Sequence, residues 1–239
     1  MGNIQKTGQA LAKISSENLL TVSHSTFDKA FSDEVEQARM CSETMKEYED
    51  KLVVISQGRA LARADINQEW IERCKTPQNT KKELTKVRTL NDAIDLLSPS
   101  LFKIAGLKSK KYAVSYIGLW IVDLQAKLNI KNPMNEAMIT EASDTIFSEF
   151  GYLTIPDVKI VFTDALNGVY GEFYESLSIP KMISWFREYA EQRKLEFGAR
   201  NASDAHYREG DSTNFKERRR KTEISASDYL DINRARDDA

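Results

Sequence analysis

Apolar residues recur along most of this chain at intervals of three and four, the spacing that lines one face of an α-helix. From Ser25 the series Phe27, Phe31, Val35, Ala38, Cys41, Met45, Tyr48, Leu52 and Ile55 predicts one long amphipathic helix, with Gly58 as its break. A second helix follows through Leu61, Ile66, Trp70 and Cys74 and ends at Thr76-Pro77-Gln78-Asn79, because proline cannot continue the hydrogen-bond ladder. Thr80 and Glu83 have the spacing of a capping box, in which hydroxyl and carboxylate each take an orphan N–H. The helix they open runs through Leu84, Val87, Asn91, Ile94 and Leu97. Ser98-Pro99 restarts the chain with proline at the first helical position, and Gly106 ends that short element.

Ser109 caps the next predicted helix, the most apolar of all, with Tyr112, Val114, Tyr116, Ile117, Leu119, Trp120, Ile121, Val122, Leu124 and Leu128. Apolar residues nearly all round it imply the centre of the core. Asn132-Pro133 opens a helix carrying Met134, Met138, Ile139, Ala142, Ile146 and Phe147, and Gly151 reads as its left-handed cap. Thr154-Ile-Pro-Asp157 opens another, with Val158, Val161, Phe162, Ala165 and Leu166, which Asn167-Gly168 stops. Ser178-Ile-Pro-Lys181 opens the last, with Met182, Ile183, Trp185, Phe186 and Tyr189. From about Gly198 large apolar residues thin out, and the tail reads as mobile or only locally helical. The expected fold is all-α, a multi-helix bundle with a long N-terminal amphipathic helix. Its expected parts are a short N-terminal segment (1–24), a long helical hairpin (25–75), a main helical domain (76–198) and a charged, flexible tail (199–239).

Composition supports this. Ten Gly and five Pro in 239 residues are too few for the turns of a β-sandwich, and 29% charged residues suit solvated helix faces. The formal net charge of −2 gives no overall attraction to nucleic acid, so any such contact is local. Between Ile71 and Tyr112 ten cations face four anions. Lys81, Lys82, Lys86, Arg88, Lys108, Lys110 and Lys111 are the candidates there, joined by Arg218, Arg219 and Arg220 in the run Lys216–Lys221. Such clusters neutralise phosphates and release counterions; they are equally what solvated helix faces look like. Asp33, Glu34, Glu36, Glu43, Glu47, Glu49 and Asp50 make the first long helix acidic, as a solvated face or as a contact for a basic partner.

Little in the chain points to catalysis. Cys41 and Cys74 lack a CxxC neighbour and read as reduced thiols; His24 and His206 stand alone, so neither a zinc site nor any cofactor is expected. Gly168-Val-Tyr-Gly171 lacks the spacing of a phosphate loop or a dinucleotide fingerprint, and its glycines read as residues that permit positive φ in a tight turn. Tyr170, Phe173 and Tyr174 are either core or a partner-binding surface, and Trp185 is a further partner-binding candidate. Carboxylates are many but dispersed, and Glu141 and Asp144 at a spacing of three are too common to mark a metal site. No apolar run approaches the roughly 18 residues of a membrane span. The N-terminus lacks a signal-peptide stretch, and Lys6 stands where myristoylation after Met1-Gly2 wants Ser or Thr. A cytoplasmic protein that is not an enzyme and has no membrane contact is expected.

The stretch from about Tyr116 to Arg193 resembles an all-helical, uncharacterised protein family of Bacteroidota genomes, their phages and mobile elements. The resemblance rests on Asn132-Pro133-Met134, Leu153-Thr-Ile-Pro-Asp157, Gly168-Val-Tyr-Gly-Glu-Phe-Tyr174, and Ile183-Ser-Trp185 with Tyr189 and Arg193. It carries no catalytic residues over. The helical organisation with a trailing tail is also similar to the phage adaptors that grip a replicative helicase. Together these imply a phage or mobile-element DNA-replication accessory protein in the bacterial host cytoplasm, binding a helicase or initiator and touching nucleic acid weakly. A virion-associated structural protein or a host-modulating interaction protein is the alternative, and a nuclease or transferase with dispersed carboxylates is a third.

Overall fold

The computed structural model describes residues 19–128, 130–171 and 177–222, except for the side chains of residue 201 and of 203–222. Among them the protein is all-α. A 3-10 turn, Leu19–Thr21, precedes nine helices: α1 His24–Met40, α2 Met45–Arg73, α3 Pro77–Glu83, α4 Leu90–Asp95, α5 Leu101–Leu107, α6 Lys110–Leu128, α7 Glu136–Phe150, α8 Ile155–Leu166 and α9 Ile179–Thr222. No strand occurs among the described residues, and no helix is long and apolar enough to cross a membrane. The chain divides into two compact units, Met1–Arg193 and Lys194–Ala239.

Several boundaries follow caps that apolar periodicity does not register. The first long helix breaks at Cys41–Thr44, not at Gly58. Thr44 accepts from the Glu47 N–H at 3.2 Å while the Glu47 carboxylate accepts from the Glu43 N–H at 3.0 Å, so α2 starts there and runs through Gly58. Pro77 does not terminate a helix but begins α3 behind the Thr76 cap. Thr80, expected as a cap, is fully buried, and its hydroxyl bonds the Thr76 carbonyl at 2.9 Å and shares a hydrogen bond with the Tyr116 hydroxyl at 3.2 Å. The capping box lies at Thr89 and Asp92 instead, and splits the expected single helix into α3 and α4. Ser100 rather than Ser98 caps α5, and Asn135 rather than Asn132 caps α7. The starts at Ser109 and Thr154, and the stop at Asn167, stand as expected.

The most buried helix is α8, not α6. Nine of the twelve residues of α8 are buried, including Asp157 and Lys159, whereas α6 leaves Leu119 and Val122 exposed. Four helices surround one aromatic ladder. Tyr116 meets Trp120 edge-on, Trp120 of α6 stacks on Phe162 of α8 at 5.5 Å, and Phe162 meets Phe186 of α9 at 5.7 Å. Phe186 in turn lies 5.7 Å from Phe150 of α7. Aromatic pairs at such distances add about 0.5–1.5 kcal/mol each beyond area burial. α6 packs along α7, with Gly118 of α6 against Ile139 and Ser143.

Two N–H groups at the start of α5 have no helical acceptor; Leu101 donates to the Leu153 carbonyl at 2.9 Å and Phe102 to the Gly151 carbonyl at 2.7 Å. This junction explains Gly151. Its φ is −62°, so it is not a left-handed cap; a Cβ there would overlap the Phe102 ring. Gly151→Ala is therefore expected to destabilise the protein by about 1–3 kcal/mol, read as a lower urea midpoint with unchanged helical content in the far-ultraviolet circular dichroism spectrum.

Candidate interaction surfaces

The corner after α8 is built by its glycines. Gly168 and Gly171 both adopt positive φ, +78° and +91°, which other residues enter only with strain. The turn closes with Val169 N–H on the Asp164 carbonyl and Gly171 N–H on that of Gly168, both at 3.0 Å. Tyr170 is thereby laid on Trp185, ring over ring at 5.9 Å and 15°, and Lys181 holds the Tyr170 carbonyl at 3.0 Å. Burial raises the pKa of the Tyr170 phenol. Trp185 is only 1% exposed, so its indole supports the corner from inside and Tyr170 alone of this pair reaches the surface. Phe173 and Tyr174 lie outside the described residues.

The basic residues of the central region do not form one continuous patch of free charge. Lys81 pairs with Asp123 at 2.7 Å and lies over Trp120; Lys110 pairs with Asp144 at 2.8 Å and lies over Phe147; Lys108 faces Glu72 at 3.4 Å. A cation already paired contributes little to a phosphate contact. Lys82, Lys86 and Arg88 are exposed and make no ion pair among the described residues, and they follow one another along α3 and the loop to α4. Lys111, at the start of α6, is exposed as well. The side chains of Arg218, Arg219 and Arg220 lie outside the described set.

The α3–α4 loop is fixed from both sides. The Asp92 carboxylate accepts from the N–H groups of Arg88 and Thr89, both at 2.8 Å, and these bonds hold its pKa below the usual carboxylate range. From beneath, the Lys159 ammonium on α8 donates to the Val87 carbonyl. Burial is the main cause of its lowered pKa, with Asp164 opposing and Arg88 adding to the shift. Nothing in the sequence marks Lys159 as buried, since it sits in an apolar stripe that a long flexible cation usually leaves.

The acidic residues gather on an arm. α1 packs on α2 through Phe27, Phe31, Val35 and Ala38, with Tyr48 and Ile55 facing them. The two helices are closed at the turn by Lys51, which donates to the Cys41 carbonyl at 3.0 Å and pairs with Glu47 at 2.7 Å. Eight acids and four bases lie between residues 24 and 57. Asp33, Glu43, Glu49 and Asp50 are exposed without an ion pair among the described residues. Met40 and Met45 stand 76% and 71% exposed beside them, and Val53, Val54 and Leu61 are exposed along α2. Cys41 at the turn is an exposed free thiol, whereas burial pushes the Cys74 thiol up to about 12.

If the loop contacts a nucleic-acid backbone, Lys82, Lys86 and Arg88 carry it. Replacing all three by Glu is expected to weaken single-stranded DNA binding and to flatten the slope of log K against log salt by about 2, at about 0.7 per phosphate contact, measured by fluorescence anisotropy. Comparison with protein-family models, with curated proteins and with solved structures gives no match for this chain.

Proposed function

We propose that this chain is a non-enzymatic adaptor of phage or mobile-element DNA replication, acting in the bacterial cytoplasm by holding a helicase or initiator on its α1–α2 arm. The observation that carries this reading is the coincidence, on one two-helix arm, of Asp33, Glu43, Glu49 and Asp50, which make no ion pair among the described residues, and exposed methionine, valine and leucine side chains. Exposed apolar side chains bordered by charge are what a docking helix leaves for its partner. Methionine adapts its shape to the surface it meets, while the carboxylates steer a partner of opposite charge. The occupant is accordingly a basic amphipathic helix of the replication protein. The resemblance over residues 116–193 and the similarity to helicase-gripping adaptors supply the replication context. Lys82, Lys86 and Arg88 provide the weaker contact to nucleic acid.

Replacing Glu43, Glu49 and Asp50 by Lys reverses the charge of the arm at exposed positions where most substitutions change stability by less than about 0.5 kcal/mol. The variant is expected to lose binding to the replicative helicase or initiator of the same genome by at least about tenfold, roughly 1.4 kcal/mol. Its thermal midpoint should stay at the wild-type value. Equal binding by wild type and variant, or no binding by either, removes the adaptor reading.

A further inference from the structure

Where α2 crosses the first turn of α1, an open cleft of about 510 Å³ is lined by His24 and Asp28 from α1, by Ser56, Arg59 and Arg63 from α2, and by Leu97. Arg59 and Arg63 are four residues apart, so they share a helix face; His24 and Asp28 stand at the same spacing on the facing helix. The two arginines are not equivalent. The Arg59 guanidinium is bound by the Asp28 carboxylate and lies over the Phe27 ring at 5.7 Å. Arg63 is partly buried yet makes no hydrogen bond or ion pair among the described residues. A guanidinium has five donors, and withdrawing them from water without an acceptor is unfavourable. The cleft therefore holds one cation in direct contact with Asp28 and a second, Arg63, that feels the Asp28 charge but makes no hydrogen bond or ion pair among the described residues.

We propose that this cleft binds a phosphate group, with Arg63 as the principal contact and His24 as the second. The planar fork of an arginine matches two phosphate oxygens at once, which a lysine does not reproduce. The first turn of the 17-residue α1 begins at His24, and helix N-termini carry partial positive charge toward a bound anion. Asp28 and Asp95 offset two of the three cations Arg59, Arg63 and protonated His24, which leaves one positive charge for a bound anion, and the two-oxygen fork of Arg63 fits that anion best as a phosphate group. His24 is held below its usual pKa, first by burial and then by Arg63, against the opposing pull of Asp28, Asp95 and the Leu96 carbonyl. A bound phosphate reverses that balance, so binding takes up a proton at His24 and tightens as pH falls toward 6. The volume exceeds that of one phosphate, which leaves room for the remainder of a phosphorylated small molecule or of a nucleic-acid strand ending in a 5′-phosphate.

Pyrophosphate titrated into the full chain tests the assignment, followed by calorimetry and by the His24 imidazole signals in nuclear magnetic resonance; the chain has only two histidines to assign. One-site saturation with a shift of the His24 signals and a raised His24 pKa is expected. Arg63→Gln should weaken binding by about tenfold or more, the scale of one lost charge-assisted contact, and Arg63→Lys should recover only part of it. No saturable binding, a His24 signal that does not move, or an Arg63→Gln variant that binds like wild type overturns the proposal. The His24 readout needs no substitution, so it decides the matter even if Arg63→Gln fails to fold. Two oligonucleotides differing only in a 5′-phosphate separate the sources. Preference for the phosphorylated strand assigns a strand end, and pyrophosphate binding without that preference assigns a free phosphorylated ligand.

Discussion

Asp157 is a carboxylate with no exposed surface at the start of the most buried helix of the protein, and the packing around it depends on satisfying that charge. It takes the N–H and the hydroxyl of Thr154, both at 2.8 Å, the Tyr189 hydroxyl at 2.7 Å and the Arg193 guanidinium at 3.0 Å. Four donors match the roughly four acceptor sites of a carboxylate. Two come from the cap of α8 and two from α9, so one side chain both starts a helix and fastens the next to it. Burial, followed by the neighbouring Asp157 charge, raises the Tyr189 pKa, which keeps the phenol a neutral donor. Burying an ion is costly unless it is paired and hydrogen-bonded, so the arrangement is all or nothing.

From that point the rest of the first unit is built outward. Two residues along α8, Lys159 reaches the opposite way to the α3–α4 loop, so the helix is tied to its surroundings by an acid on one side and a base on the other. Between these anchors Phe162 joins the aromatic ladder that α6, α7 and α9 share. The surfaces with binding potential lie away from this centre. The α1–α2 arm, the loop bearing Lys82, Lys86 and Arg88, and the Tyr170 corner each combine a rigid base with exposed side chains. Such a division suits a scaffold whose interior is fixed and whose edges make contact.

Helical class and most apolar stripes were legible in the chain, because a 3.6-residue period survives whatever the helices pack against. Starts with a local device, such as Ser109, Thr154 and Ser178, were legible for the same reason. The break at Cys41–Thr44 was missed because the apolar series continues across it, although Thr44 and Glu47 carry the same T-x-x-E spacing that was read at Thr80 and Glu83. Gly58 misled in the opposite direction, since a glycine in a helix supported by tertiary packing costs only about 1 kcal/mol. Gly151 and Thr80 have roles set by Phe102 and Tyr116, neighbours that local pattern does not name. Asp157 was readable as part of a helix start, but its partners lie 32 and 36 residues further on. Among the candidate surfaces, net charge counted Lys81, Lys108 and Lys110 as free although their partners lie on other helices. His24 stands alone in the sequence, and the fold brings it to the same cleft as Arg59 and Arg63.

The most direct test is the unfolding free energy of Asp157→Asn in urea. Asparagine keeps the shape but removes the charge that Arg193 and Tyr189 are arranged around, and the account predicts a loss of about 3 kcal/mol, the scale of breaking a buried ion pair. A variant within about 0.5 kcal/mol of wild type, as at an ordinary surface position, would contradict the claim that this carboxylate holds α8 and α9 together.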